Sequence, residues 1–357
     1  MYTAFSVLFA TISATLVWAF APSARGSGIP EVKTILGGFC MDDVLEFKTL
    51  VVKVIGLVFS VSSGMSLGKE GPLVHVACCW AVFCSMFTKR YEKNEAKRRE
   101  LISTAAAAGV SVAFGTPLGG VLFSYEEVST MFPQKTMVRA FFAAVVAALT
   151  LRWWDPTGTK KLTMFEMHYD GMPDLVEYPW FLALGVIGGI LGAAFVHMNV
   201  SISAARQDGT PFRKRVHIIV EVAVIALITA LTSYPLVFTR GMSVVTIRSL
   251  FQTCSTAPEE LDMMGLCRHR GEEHLHPGVA SALLLAALLR FAQMTVTFGT
   301  GVPCGLFVPS LFTGACIGRC LGLFVSQLNS IYGFSSAPIH PGVYAMVGAA
   351  AVLGGVC

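Results

Sequence analysis

The sequence is poor in charged residues. Asp, Glu, Lys and Arg make up 13% of its 357 residues, against about 25% in average globular proteins, whereas hydrophobic residues make up 54%. This composition excludes an ordinary water-soluble domain. The net charge is only +4, so the sequence gives no indication of a nucleic-acid partner. Apolar segments long enough to cross a bilayer predict an all-α, polytopic membrane protein surrounded by lipid.

Enzyme motifs are also missing. No HExxH zinc motif or Walker A loop occurs in the chain. His75, Cys78 and Cys79 have the i, i+3, i+4 spacing of metal ligands on a helix, but no further ligands lie near them in sequence, which favours helix packing. We therefore predict that the protein is not an enzyme and holds neither a metal nor another cofactor.

The cysteines give no indication of a disulfide framework. Eight of the ten lie in or beside apolar or glycine-rich stretches, where cysteine usually serves as a small core residue. Cys254 and Cys267 differ because they share a polar loop. They could form a disulfide if that loop faces an oxidising compartment.

The apolar segments are uneven in length and are interrupted by glycine and proline. Several are too short for a simple span, which predicts helices that end inside the bilayer next to buried or cavity-lining backbone. The first segment, Met1–Ala21, lacks a basic n-region and is interpreted as a membrane helix rather than a signal peptide. The expected helices are Tyr2–Phe20, Pro30–Phe39, Phe47–Ser62, Pro72–Phe87, Leu101–Ala113, Pro117–Phe123, Met137–Leu151, Trp180–Val200, Val216–Val237, Ala280–Phe298, Leu306–Leu328 and Ala345–Val356.

Two short loops are basic, which is typical of the cytoplasmic side of a membrane. Lys89–Glu100 holds six Lys or Arg against three Glu, and a solvated helix face is a compatible interpretation of this segment. Arg206–Arg215 holds four basic residues against one Asp. The longer, more acidic loops Asp155–Pro179 and Ser243–Pro277 are expected on the opposite side. No linker composition separates these parts, so a single domain is predicted.

Two features of the apolar segments predict packing rather than chemistry. Gly185, Gly188, Gly189 and Gly192 have the small-xxx-small spacing that allows helices to approach closely in membranes. Arg290 stands in an apolar run and is expected near an interface or in a pair, without a functional role.

The central feature of the chain is Gly68-Lys69-Glu70-Gly71-Pro72, where two charged residues stand between apolar stretches. Ionisable residues at membrane depth are costly and usually functional. Pro72 favours the first turn of a helix, so free N–H groups of Lys69, Glu70 and Gly71 would lie at its positive end, where an anion can bind. Taken alone, the motif is explained equally well by a capped, buried turn without function.

Two other interruptions have the same pattern. In Ala24–Lys33, Ser27 lies near a helix start that Pro30 marks, and in Gly301–Ser310 the residues before Pro309 mark another start. Helix N-termini directed at one point in the membrane form a site for a dehydrated anion without a full positive charge, which would bind it too tightly. Because the same pattern occurs three times, a shared anion site explains it better than three unrelated helix breaks.

The three interrupted segments resemble the signature sequences of the CLC family of chloride channels and chloride/proton exchangers. They read GSGIPEV, GKEGPLVH and GLFVP, in the family's order and spacing. Ala105–Ser129 is similar to the family between the second and third signatures. The resemblance covers nearly the whole chain, and GKEGPLVHVACC and KNEAKRRE are most similar to the eukaryotic exchangers of endosomes and vacuoles.

The resemblance implies roles for residues at the three helix starts. Glu70 matches the gating glutamate, whose carboxylate competes with chloride and carries the proton. Ser27 matches the serine whose hydroxyl donates to the central chloride, and a serine there favours chloride because nitrate-preferring relatives tend to carry proline. The implied chloride-binding set is Ser27, Gly28, Lys69, Glu70, Gly71, Leu306 and Phe307, in which Leu306 and Phe307 donate backbone N–H groups to the central ion and Lys69 to Gly71 donate theirs at the outer site.

The resemblance also favours exchange over passive conduction. Glu127, the second acid of Tyr125-Glu126-Glu127-Val128, matches the internal proton glutamate of the exchangers, a position where the family's channels usually lack an acid. Glu126 is given a secondary role. The implied function is chloride transport coupled to proton counter-transport, in a voltage-sensitive exchanger.

The implied fold is the CLC inverted repeat, with short, broken and tilted helices. The family's helices before Tyr2–Phe20 are missing, as are its last helices, its pore tyrosine and its cytoplasmic CBS pair. Tyr332 and Tyr344 lie in the wrong stretch to replace that tyrosine. Residues 1–357 are therefore expected to form a single, partial transmembrane domain, incomplete at both ends, from a truncated sequence.

The resemblance further implies a multi-pass protein of endosomal, vacuolar or other intracellular membranes, with the plasma membrane as the alternative. Its expected ligands are chloride and protons, and its expected partner is a second copy in a homodimer.

Three other functions stay open: a passive voltage-gated chloride channel, an inactive truncated subunit, and an intramembrane enzyme that uses Glu70 or Glu126/Glu127 with His75. The enzyme needs a second catalytic element, which the sequence does not show. The organelle, the coupling ratio and nucleotide regulation are not indicated.

Overall fold

The computed structural model describes residues 1–92, 94–155, 158, 163, 165, 173–207, 210–252, 277–335 and 338–357. These residues are mainly helical, and their only strand-like pairings are two isolated bridges between loops. Cys254 and Cys267 lie outside the described residues. The α-helices of the described chain are α1 (Tyr2–Phe20), α2 (Ile29–Leu36), α3 (Phe47–Ser62), α4 (Glu70–Ser85), α5 (Lys89–Glu92), α6 (Glu95–Phe114), α7 (Pro117–Phe123), α8 (Gln134–Trp154), α9 (Tyr178–Ala205), α10 (Pro211–Arg215), α11 (Ile218–Ser233), α12 (Val237–Arg240), α13 (Ser243–Phe251), α14 (Pro277–Thr297), α15 (Phe307–Tyr332) and α16 (Pro341–Val356).

The prediction of an all-α, polytopic membrane protein is confirmed. Within the described residues, five helices are long and apolar enough to cross a membrane, namely α1, α8, α9, α14 and α15. Helices α4, α11 and α16 are apolar but only 16 residues long, in keeping with helices that end inside the bilayer. Large apolar side chains such as Phe142 and Leu182 are exposed on the outer surface, where they can face lipid. The chain is therefore an integral membrane protein.

Helix α6 begins earlier than its apolar pattern predicts. It starts at Glu95 rather than Leu101, because the Asn94 side chain accepts a hydrogen bond from Lys97 N and caps the first turn. Much of the basic segment Lys89–Glu100 is thus helical, which agrees with the solvated-face interpretation.

The expected span Val216–Val237 and the polar loop after it also differ from the structure. Helix α11 ends at Ser233, because Pro235 has no N–H with which to continue the helical hydrogen bonds. The segment expected to be a polar loop from Ser243 instead begins with α13, in which Ile247 and Leu250 are fully buried. A nine-residue helix has too few turns to show a clear apolar period in the sequence.

Glycines bring α15 and α16 into direct backbone contact. A Cβ on Gly314 would overlap the carbonyl oxygen of Gly348, and a Cβ on Gly318 would overlap that of Tyr344. Such small-residue contacts are typical of helix pairs inside membranes. Helix α15 is buried along most of its length, so its first residue, Phe307, starts from the interior of the fold.

The glycines of α9 divide between two faces. Gly188 and Gly192 contact the backbone of α16, where added Cβ atoms would overlap Ala351 and Gly355. A Cβ added to Gly185 or Gly189 would meet no atom of the described residues within 4 Å. The predicted close packing therefore involves one pair of this motif and not the other.

Buried arginines donate to carbonyl groups at the ends of helices. Arg290 Nη2 donates to Thr239 O in α12 at 2.7 Å, and its guanidinium lies 5.4 Å from the centre of the Phe312 ring. Arg319 Nη1 donates to Leu250 O and Gln252 O at the end of α13. The last carbonyls of a helix lack intrahelical donors, and a cation there also complements the helix dipole. This explains how full charges are held in apolar surroundings.

Candidate anion-binding site

Backbone hydrogen bonds join the three interrupted segments inside the fold. Gly26 N donates to Val302 O at 3.0 Å, and Cys304 N donates back to Gly26 O at 3.2 Å. Gly68 and Gly305 exchange two hydrogen bonds, with N–O distances of 2.8 and 2.9 Å. The starts of α2, α4 and α15 are thereby held together, although the three segments lie far apart in sequence.

Gly28 is required at the start of α2 by its backbone and by its neighbour. Its φ is +82°, and a Cβ would overlap the imidazole ring of His75. His75 is fully buried, and its Nε2 donates to Val44 O at 3.0 Å. The ring therefore packs behind the helix start, and no group of three or more metal-ligand side chains forms among the described residues.

Glu70 is the first residue of α4, two positions before the proline expected to mark the start. It is 1% exposed, and neither carboxylate oxygen has a hydrogen-bond partner in the described part of the chain. Its Oε2 lies beside Gly68, where a Cβ would overlap it, whereas the side chain of Lys69 is exposed. Because burial of an unpartnered carboxylate is costly, this arrangement is typical of a group that changes its charge or its partner during function.

Ser27 and Gly71 bring the starts of α2 and α4 into contact. A Cβ built on Gly71 would lie 3.0 Å from the Ser27 Cβ, so a larger residue would separate the two starts. Ser27 Oγ accepts a hydrogen bond from Ile29 N at 3.3 Å. Since its oxygen is the acceptor in that bond, the hydroxyl proton can be donated to another group.

A cavity of about 220 Å³ lies where the helix starts meet. The predicted site residues in its lining are Ser27, Gly71, Glu127, Leu306 and Phe307. Its other walls are Ile29, Pro30, Phe123, Phe195, Phe298, Val356 and Cys357. Leu306 caps α15 and Phe307 begins it, so their N–H groups have no intrahelical acceptor. Helix N-termini among apolar walls suit a partly dehydrated anion.

Glu127 lies in a π-helical turn, Ser124–Val128, that directly follows α7. Its Oε1 is 2.9 Å from Nζ of Lys33 on α2, and its side chain is 35% exposed. Such turns often occur at functional sites. Glu126 is exposed and does not line the cavity.

A second, larger cavity of about 790 Å³ approaches Ser27 from the side of the basic loop Arg206–Arg215. It shares Ser27, Pro30 and Phe298 with the smaller cavity. Its charged lining residues are Arg25, Glu31, Arg206 and Arg213. Because basic groups outnumber acidic ones there, this cavity favours the approach of anions.

Sequence reasoning missed several residues of the site. Lys33 is separated from Glu127 by 94 positions, so the pair leaves no local pattern in the sequence. Phe123 and Phe298 line the cavity, but in sequence they are indistinguishable from side chains that face lipid. Gly28, Lys69, Glu70 and Glu126 are not among the lining residues of the smaller cavity. The predicted roles of all the site residues stay predictions.

Comparisons with known proteins agree on one family. The family described as voltage gated chloride channel matches residues 9–357. H(+)/Cl(-) exchange transporter 5 of Rattus norvegicus is 47% identical over 381 aligned residues, which cover 100% of this chain and 46% of the rat protein. H(+)/Cl(-) exchange transporter 3 of Homo sapiens is 44% identical over 381 residues, with the same coverage. The chain spans about half the length of these curated relatives.

Solved structures share the fold. A eukaryotic CLC transporter superposes with a TM-score of 0.77 at 28% identity, covering 99% of this chain and 56% of that chain. A slow cyanobacterial Cl−/H+ antiporter superposes with a TM-score of 0.76 at 21% identity, covering 99% and 74%. At 21% identity, the similarity to the cyanobacterial antiporter shows only a shared fold.

Proposed function

The chain belongs to the voltage gated chloride channel family, also called CLC, and on that premise we propose that it exchanges chloride for protons across a membrane. The observation that carries the proposal is the Glu70 carboxylate, which is buried at the start of α4 without a hydrogen-bond partner in the described chain. H(+)/Cl(-) exchange is the activity named for relatives at 47% and 44% identity.

Chloride binds, in this proposal, among the N-termini of α2, α4 and α15. The Ser27 hydroxyl and the backbone N–H groups of Leu306 and Phe307 bind the central ion, and those of Lys69, Glu70 and Gly71 bind the outer ion. Each helix N-terminus supplies about half a unit of positive charge, which replaces part of the hydration shell and still permits release. Gly28 supports the site through the tight turn that places Ser27.

Glu70 couples the proton to the anion. Its carboxylate can replace chloride only when it is ionised, because the site attracts negative charge. When chloride displaces it, the carboxylate loses the helix N-termini that stabilise its charge and binds a proton more readily. Glu127 holds the proton at the far wall of the cavity, whose volume of about 220 Å³ has room for several waters.

The proposed domain, transported ion, location and assembly are based on the similarity to the exchange transporters named above. We assign residues 1–357 to one partial transmembrane domain that catalyses no reaction, carries chloride as its transported ion and needs no cofactor. The proposed location is an endosomal, vacuolar or other intracellular membrane, with the plasma membrane as the alternative. The proposed assembly is a homodimer.

Reconstitution of the 357-residue chain in liposomes tests the function. With valinomycin and potassium present to remove the membrane potential, an outward chloride gradient should drive proton uptake, recorded by external pH together with chloride efflux. Chloride efflux without proton uptake would instead identify a passive channel. Movement of neither ion would reject transport by this chain.

A further inference from the structure

A buried arginine holds the end of α14, just before the segment that carries Leu306 and Phe307. Arg206, which follows α9, donates from Nη1 to Phe298 O at 2.8 Å and from Nη2 to Val296 O at 2.6 Å. Its side chain is 7% exposed. Since the last carbonyls of a helix have no intrahelical donor, this guanidinium satisfies groups that would otherwise stay unpaired inside the protein.

Arg206 is itself held by a charge network at the start of α11. Its Nε donates to Glu221 Oε1, and Arg213 Nη1 lies 3.1 Å from Glu221 Oε2. Arg213 Nε also donates to Arg206 O at 3.0 Å. Asn199 of α9 adds a neutral contact, because its Nδ2 donates to Phe298 O at 3.3 Å and to a carbonyl one turn earlier. Arg206 and Asn199 thus hold the end of α14, and Glu221 and Arg213 hold Arg206.

The end of α14 is connected to the anion site through a short backbone path. Gly299 has a φ of +84°, and a Cβ there would lie 3.5 Å from Arg206 Nη1. Four residues after Phe298, the chain reaches Val302, whose carbonyl accepts the hydrogen bond from Gly26 N. The same segment then continues to the start of α15. A displacement of the Phe298 carbonyl would therefore move the contacts that align the helix starts.

We propose that Arg206 is a positioning residue for the anion site, which fixes the end of α14 and thereby the segment 299–305 that places the N–H groups of Leu306 and Phe307. Its role rests on the proposed function but adds a residue outside the chloride-binding set. Nε, Nη1 and Nη2 each donate to a carboxylate or a carbonyl oxygen, so Arg206 acts on the chloride-binding groups through the backbone that it holds.

Arg206→Lys tests the proposal without leaving Glu221 as an uncompensated buried charge. A lysine keeps the positive charge but loses the planar fork that serves two carbonyls and a carboxylate at once. The half-saturating chloride concentration should rise about three- to tenfold, which lies within the range expected for coupling through a neighbouring element. Arg290→Lys is the matched control, because Arg290 is equally buried and donates to a helix carbonyl in α12, away from both cavities. Its chloride dependence should equal that of the wild type.

Chloride titration of the purified full chain by calorimetry gives a readout that does not need transport. An unchanged dissociation constant for Arg206→Lys, or an equal shift for Arg290→Lys, would overturn the positioning role. If Arg206→Lys does not accumulate as a monodisperse protein, Asn199→Ala replaces it, since it removes neutral hydrogen bonds from the same helix end. It should weaken chloride binding in the same direction, and unaltered binding counts against the proposal. A wild-type chain that binds chloride but moves no ions refutes the proposed function alone.

Discussion

Glu127 Oε1 lies 2.9 Å from Lys33 Nζ, which joins the π turn after α7 to the helix that begins beside Ser27. The Lys33 side chain is half exposed, so water reaches the pair. Pairs of this kind contribute only about 0–1 kcal/mol to stability. This ion pair is therefore better explained as orienting the glutamate at the cavity wall than as holding the fold together.

Lys33→Met should lower proton flux several-fold while chloride flux stays near the wild-type value. The reason is that Glu127 loses the partner that directs its carboxylate, whereas the chloride-binding groups stay in place. Proton uptake and chloride efflux from the same liposomes give the ratio directly. Glu127→Gln is the reference variant and should nearly abolish proton flux while chloride still moves.

The control for this prediction is Arg139→Met, which removes another exposed pair, with Arg139 Nη1 3.1 Å from Glu100 Oε2 and no contact with either cavity at the site. Its ratio of proton to chloride flux should match the wild type. An unchanged ratio in Lys33→Met would show that Glu127 does not need this partner.

Gly28→Ala should destabilise the protein by about 2–5 kcal/mol, from a left-handed backbone and an overpacked contact. The new Cβ would overlap His75, and this ring cannot move away without breaking its hydrogen bond to Val44 O. The midpoint of thermal unfolding in detergent measures the effect. Gly26→Ala is matched in conformation, with φ +69° and no atom within 4 Å of the added Cβ, and should cost only about 1–2 kcal/mol.

The clash at Gly28 can be separated from the backbone strain by a double variant. His75→Ala removes the ring that the new Cβ would overlap and leaves only the backbone cost at Gly28. Adding Gly28→Ala to His75→Ala should therefore lower the unfolding midpoint less than adding Gly28→Ala to the wild type. Equal loss in Gly28→Ala and Gly26→Ala would mean that the imidazole ring does not restrict this turn.

Local features of the sequence predicted the three helix starts, because the glycine, proline and charged residues that indicate a helix start lie within a few positions of it. Glu70 and Phe307 begin their helices within two positions of the expected starts. The convergence of these starts was predicted from their shared pattern, and the hydrogen bonds at Gly26 and Gly68 explain how it is achieved.

Contacts between distant segments could not be predicted in this way. The contact of Arg206 with Phe298 spans 92 positions, and nothing around either residue distinguishes it from other loop arginines or apolar phenylalanines. The glycines of α9 show the same limit, because Gly188 and Gly189 fit one spacing pattern equally and only the position of α16 separates them. Tertiary packing, not local preference, decides such cases.

Gly192→Ala should therefore destabilise the packing of α9 on α16, whereas Gly189→Ala should not. A Cβ on Gly192 would overlap the Gly355 carbonyl, but one on Gly189 meets no atom within 4 Å. Overpacking of a tight contact costs about 1–3 kcal/mol, and glycine to alanine in an open helix position gains up to about 1 kcal/mol. The thermal midpoints of the two variants should move in opposite directions. A fall in both would mean that Gly189 also lies in a close contact.

Glu70→Ala should abolish proton coupling and leave chloride flux intact. The variant removes a buried carboxylate that has no hydrogen-bond partner in the described chain, so chloride keeps the N–H groups of the helix starts and loses its competitor. Glu70→Gln should act in the same direction, because an amide has a similar shape but cannot exchange a proton at neutral pH. Chloride efflux with no proton uptake in the liposome assay is the expected result for both.

Glu126→Ala is the control for Glu70→Ala, since Glu126 is exposed, does not line the cavity and stands next to the proposed proton glutamate. It should retain most of the wild-type ratio of proton to chloride flux. Proton transport that persists in Glu70→Ala under a chloride gradient would remove Glu70 from the proton path. In that case the buried carboxylate would need another explanation, because burying a charged group is costly. A comparable loss of proton flux in Glu126→Ala would instead extend the proton path to the exposed side of the π turn.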